Sequence, residues 1–69
     1  MTIKMFLDIA LDGSNKVMLW SLEEGRITYT GLVGDLLDRA EEEPDLDEVM
    51  CKEIESWHLT YGGSLCLNY

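Results

Sequence analysis

The sequence predicts an α+β fold: an antiparallel sheet of three to five strands with two amphipathic helices packed on one face, in the order β-β-β-α-α-β. Three observations carry this expectation. Apolar residues alternate with mostly polar ones near the N-terminus, which is the period of a half-buried strand. From Leu32 onward the apolar residues recur at helical spacing. The single proline, Pro44, divides that helical stretch in two, because the residue before a proline avoids the α region.

The first strand is expected over residues 2–11, where Ile3, Met5, Leu7, Ile9 and Leu11 alternate. Asp12-Gly13-Ser14-Asn15 has the composition of a turn. Lys16–Leu22 is apolar on both faces and reads as a second strand, central in the sheet. Glu23-Glu24-Gly25 is a short connection, with glycine available for a left-handed position. Arg26–Thr30 is rich in β-branched and aromatic residues and reads as a third strand.

Leu32, Val33, Leu36, Leu37 and Ala40 then share one arc of a helix, capped by Thr30 or Gly31. A second helix is expected from Asp45, with Glu48 three residues on as in a capping box. Its apolar stripe is Leu46, Val49, Met50, Ile54 and Trp57. Glu48 and Lys52 have the spacing of a favourable i,i+4 pair. Residues 58–69 read as either a hairpin, or one loop and one closing strand.

Composition bounds the function. The chain has 69 residues, 46% of them hydrophobic, which suits one small domain (1–69) and excludes a disordered acidic tail. No apolar run approaches the roughly 20 residues of a membrane span. The N-terminus lacks a charged n-region and a sustained apolar core, so a cytoplasmic protein is expected. Fourteen acids against five bases give a formal charge of −9. That balance disfavours direct contact with nucleic acid or an anionic membrane. It favours a basic partner, or simply keeps the protein soluble.

The charge is unevenly placed. Between Asp35 and Glu55 ten acids face only Arg39 and Lys52, a local charge of −8; the rest of the chain carries −1. Asp35/Asp38, Asp38/Glu41 and Asp38/Glu42 are like-charge pairs at helical spacing, each destabilising by roughly 0.2–0.5 kcal/mol. Glu41, Glu42 and Glu43 also lie where the helix dipole disfavours anions. A locally unfavourable choice points to function. Carboxylates on neighbouring helical positions stand roughly 5–6 Å apart at Cβ, a pitch of the same order as phosphates along a nucleic-acid strand. A basic groove built for a phosphate backbone would accept such a row. The alternative is a plain solvated face, which accounts for most acidic helices.

Other signals are weaker. Glu53 falls in the apolar arc of the second helix, and the sequence offers no second acid or base beside it for catalysis. Pairing with Arg26, Arg39 or a lysine, or exposure at the edge of the stripe, explains it more simply. Cys51, His58 and Cys66 match no common zinc spacing, and no oxyanion hole or orienting group marks a Cys-His nucleophile. Two free thiols are expected. Trp20, Tyr29, Trp57, Tyr61 and Tyr69 are scattered and read as core or rim aromatics. No cofactor, metal or catalytic residue is expected.

With its acidic stretch DLLDRAEEEPDLDEV, the chain resembles the small acidic anti-CRISPR proteins of phages and other mobile elements. The overall sequence is similar to members acting on type I-C systems. These proteins share no signature motif, so the resemblance extends only to the acids of that stretch. It implies a DNA mimic that blocks target-DNA binding by the multisubunit surveillance complex Cascade, through the subunit that reads the PAM. It implies no enzymatic activity.

The expected function is therefore a non-enzymatic inhibitor acting in the host cytoplasm. Asp35, Asp38, Glu41 and Glu42 form a first row of carboxylates. Glu43, Asp45, Asp47 and Glu48 extend it around the turn, and Glu55 is a weaker member beside Lys52. A monomer is expected. The rivals are an antitoxin or immunity-type protein capping a basic nuclease, and a structural accessory subunit that packs through an apolar patch.

Overall fold

A computed structural model describes residues 1–69. Seven elements follow one another: α1 (Ile3–Ala10), β1 (Lys16–Ser21), β2 (Arg26–Leu32), α2 (Val33–Glu42), α3 (Pro44–Met50), β3 (Ser56–Leu59) and β4 (Leu65–Asn68). The fold is α+β, with three helices and one four-stranded sheet in the order β2-β1-β4-β3.

The sheet is mixed, which corrects the expectation of a wholly antiparallel one. β1 pairs antiparallel with β2, and β3 with β4, but β1 and β4 run parallel. The chain leaves the β1–β2 hairpin, crosses through α2 and α3, and returns as a second hairpin. That hairpin inserts β4 next to β1. The central place foreseen for β1 therefore holds. Of the two possibilities for residues 58–69, the hairpin is the one realised, with Gly63 at φ 80° in its turn.

Within residues 2–11, Ile3–Ala10 form a helix, not a strand. Thr2 supplies the N-cap, its side chain accepting the Met5 N–H at 3.2 Å, which satisfies a donor that the first helical turn leaves free. Ile3 and Leu7, one turn apart, are fully buried, while Met5 and Ile9 from the alternating set are exposed. The segment is apolar enough to fit both periods, and the capping residue together with the tertiary partner decides for the helix.

The second predicted helix is also corrected. It starts at Pro44, which occupies its first turn, and Glu43 stands at the N-cap without a side-chain bond. Proline is favoured there because its missing N–H has no acceptor in any case. Asp45 lies inside the helix, so the capping box is not formed. The helix stops at Met50, short of Trp57, because the N-terminus takes over the backbone that follows. Ile3 N–H donates to Lys52 O and Ile54 N–H to Met1 O, both at 3.0 Å, and Thr2 bridges Glu53. Trp57 thus lies on β3. For α2, the N-cap is Leu32 and not Thr30 or Gly31. The foreseen stop before Pro44 holds, since α2 ends at Glu42.

One core joins the layers. Val17 and Leu19 of β1, Tyr29 of β2, and Leu65 and Leu67 of β4 pack against Ile3, Leu7, Val33, Leu36, Ala40, Leu46 and Met50. The sheet residues in this set alternate along their strands, so all three helices cover one face. Fully burying a Leu, Ile or Val side chain contributes about 1.5–3 kcal/mol. Two glycines serve the packing. Gly31 adopts φ 150°, and a Cβ there would stand 2.8 Å from the Tyr29 hydroxyl oxygen. Gly34 meets Gly13 so closely that a Cβ would lie 3.2 Å from Gly13 O, at the point where Gly34 N–H donates to that oxygen.

Candidate functional site: an acidic helical surface

The core dictates where the acids go. On α2, Val33, Leu36 and Ala40 turn inward. At about 100° per residue, Asp35, Asp38 and Glu42 fall together on the opposite side, and all three are exposed. On α3, Leu46 and Met50 are buried. Glu48 then points away from the core, with Asp45 and Asp47 on either flank. Every residue of the predicted row is exposed: Asp35, Asp38, Glu41, Glu42, Glu43, Asp45, Asp47, Glu48 and Glu55.

Few of these charges are neutralised within the chain. Three ion pairs exist in the whole molecule: Met1 ammonium–Glu53 at 2.6 Å, Arg26–Glu24 at 3.4 Å and Arg39–Glu43 at 2.9 Å. Among the nine predicted acids only Glu43 is paired. The Arg39 guanidinium hydrogen-bonds Glu43 and holds its carboxyl below the usual carboxylate range, while Glu43 raises Arg39 in return. Arg39 also sits 5.6 Å from the centre of the Tyr29 ring. Burial, and then the charge of Asp35, pushes the Tyr29 hydroxyl up.

Three expectations about this surface are corrected. Lys52 forms no ion pair with Glu48 or Glu55, since it lies beyond the end of α3 and no longer shares a helical face with Glu48. Glu55 precedes β3, where its N–H donates to Asn68 O at 2.8 Å, so it stands apart from the helical row. Glu53 is exposed, as one of its two readings had it, but it lies outside any helix, and its partner is the Met1 ammonium, not an arginine or a lysine.

The fold adds acids that the linear reading left out. Glu23 and Glu24, from the β1–β2 turn, line a shallow cleft together with Asp45, Glu48 and Lys52. Asp8 of α1 shares another with Glu41 and Asp47, beside Lys4. The first group unites residues about twenty positions apart, and nothing in the local sequence marks that approach. Asp8 was hidden because residues 2–11 read as a strand.

The carboxylates do not converge. No three His, Cys, Asp or Glu side chains are disposed to hold one metal ion. His58 and Cys66 are cross-strand neighbours, but Cys51 lies elsewhere, exposed, and both thiols are free. The acids form an outward-facing field over α2, α3 and the adjoining turn, suited to meeting several separate cations at once. No helix is long and apolar enough to cross a membrane. Comparison with protein-family models, with curated proteins and with solved structures gives no match.

Proposed function

We propose that this protein is a non-enzymatic inhibitor acting in the cytoplasm of a bacterial host. Its acidic helical surface occupies the basic DNA-binding site of a CRISPR surveillance complex of the Cascade type and blocks target-DNA binding, through the subunit that reads the PAM. The observation that carries this reading is the free state of the carboxylates. Eight of the nine predicted acids are exposed and have no cation of their own chain within ion-pair distance. Exposed like charges are retained at a cost to the isolated fold, and a partner lined with Lys and Arg relieves that cost on binding. Long-range attraction makes such an encounter fast and sensitive to salt.

Asp35, Asp38 and Glu42 make the outer row on α2, Glu48 continues it on α3, and Asp45 with Glu23 and Glu24 widens it toward the β1–β2 turn. The test is competition. Labelled duplex carrying a PAM is bound to a purified type I-C Cascade, and the protein is titrated in over a salt series. The expected result is displacement of DNA that weakens steeply as salt rises. Undisturbed DNA binding at low salt, with excess inhibitor, would overturn the proposal.

A further inference from the structure

The outer row leaves Asp8, Glu41 and Asp47 aside, and the fold brings these three together. Each comes from a different helix: Asp8 from α1, Glu41 from α2 and Asp47 from α3. They line one groove with Leu37, Ala40 and Met50. Leu37 is half-buried, Ala40 and Met50 are buried, and the three acids are exposed, so the groove is apolar at its base and anionic at its mouth. None of the three carboxylates belongs to an ion pair. Asp8 stands in the last turn of α1 and Glu41 in the last turn of α2, where the helix dipole adds its negative end to the side-chain charge. The carboxylates are not disposed to share one metal ion. The groove measures about 220 Å³, below the roughly 300–1,000 Å³ of a site for a drug-sized molecule. That is room for a single long side chain.

We propose that this groove receives an arginine side chain of the basic partner: the methylene stem lies on Leu37, Ala40 and Met50, and the guanidinium meets the carboxylates of Asp8, Glu41 and Asp47. The inference rests on the reading that the acidic surface meets a basic protein, and adds one anchoring contact to it. Charge complementarity selects the occupant. A neutral or anionic group gains nothing from three unpaired carboxylates and two helix C-termini. Among cations, arginine suits both halves of the groove. Its stem buries against apolar surface while its head keeps to polar surroundings. Its planar guanidinium carries five N–H donors in a fixed fork, so it can serve carboxylates set apart on different helices. Lysine is a compact, strongly hydrated point charge. Arginine is also enriched among the few side chains that carry most of an interface's binding energy. Lys4 completes the lining and has no ion-pair partner. It is the chain's own competing cation: three acids and one lysine leave the lining at a charge of −2, and the incoming guanidinium displaces the Lys4 ammonium from the mouth.

The test is an NMR titration of the full chain with capped arginine (N-acetyl-arginine amide), beside capped lysine and capped citrulline, the neutral isostere of arginine. The probes are the methyl groups of Leu37, Ala40 and Met50. Met18, on the face of the sheet that the helices leave uncovered, is the internal reference. The expected result is saturable movement of the three groove methyls, with a dissociation constant on the order of a millimolar, while the Met18 methyl stays still. Lysine is expected to bind about two- to fivefold more weakly, and citrulline not to saturate. Asp8→Asn and Asp47→Asn, both at exposed positions, are each expected to weaken arginine binding about two- to fivefold, and Lys4→Gln to strengthen it by a similar factor, with unchanged circular dichroism spectra. In the DNA competition assay Asp8→Asn with Asp47→Asn is expected to weaken inhibition about fivefold or more. No saturation at the groove methyls, lysine or citrulline binding as well as arginine, or a titration indifferent to Asp8→Asn with Asp47→Asn would overturn the proposal. A wild-type chain that takes arginine into the groove yet leaves Cascade–DNA binding undisturbed would overturn the function proposed above and leave the groove standing.

Discussion

Arg39 donates through Nε to Glu43 at 2.9 Å, one helical turn further on, and so the only cation on α2 is spent on the acid that caps the C-terminal end of the same helix. Removing it should sharpen the acidic surface. Arg39→Gln is expected to leave the fold intact, since the side chain is exposed, and to free Glu43. In the DNA competition assay the variant should inhibit about two- to fivefold more strongly at low salt, with the gain vanishing at high salt. Equal or weaker inhibition would remove the acidic surface from the contact.

The opposite change tests the same surface from the other side. Asp38 and Glu42 sit one turn apart on the outer face of α2, both exposed and unpaired. Asp38→Lys with Glu42→Lys is expected to weaken competition about tenfold or more, with the melting curve little changed. Unfolding of the variant would show instead that these positions serve the fold.

Acidification should destabilise the chain through two identified carboxylates. Asp12 accepts from the Ser14 hydroxyl at 2.6 Å and the Ser14 N–H at 2.9 Å; Glu43 accepts from Arg39. Each is held below its ordinary value of 3.8 or 4.5. In that window the unfolded chain binds more protons than the folded one, so stability rises with pH. Both contributions are complete above the ordinary carboxylate range and disappear as pH falls through the depressed folded values. Denaturant midpoints measured from about pH 6 down to pH 2 should decline, and Asp12→Asn should flatten part of the decline.

The two thiols should differ in reactivity. Cys51 is exposed, whereas Cys66 is buried in β4 and burial pushes its thiol up. The thiolate is the reactive form, so a disulfide-exchange reagent should label Cys51 quickly and Cys66 only when the chain opens. Rapid labelling of both in native buffer would contradict the central position of β4.

Packing has its own test at Leu36 and Thr2. Leu36→Ala removes a fully buried side chain and should cost about 2–5 kcal/mol, a large share of the stability of so small a domain. Thr2→Ala removes the α1 cap and should cost about 0.5–2 kcal/mol. Thermal melts followed by circular dichroism separate the two.

Much of the architecture was legible because local chemistry and tertiary demand agreed. Asp12-Gly13-Ser14-Asn15 is a turn held by its own side chains. β1 is apolar on both faces and lies inside the sheet. Val33, Leu36 and Ala40 point inward as their spacing required, and that placement also set the outward face of Asp35, Asp38 and Glu42. Legibility failed where long-range backbone bonds decided. The stripe from Leu46 to Trp57 has good helical spacing, but residues 52–54 bond with Met1, Thr2 and Ile3, and no local pattern encodes that. The parallel pairing of β1 with β4 was equally hidden, because it depends on the path through α2 and α3 and not on either strand alone.

That parallel pairing has a kinetic consequence. β1 meets β2 after only a short turn but must wait for Leu65–Asn68 before its other flank is covered. During synthesis the first hairpin can form early and then stands half-finished, with Val17 and Leu19 lacking Leu65 and Leu67 beside them. Such distant pairing slows folding. The growing chain therefore carries an uncovered, aggregation-prone flank until Leu65–Asn68 has left the ribosome.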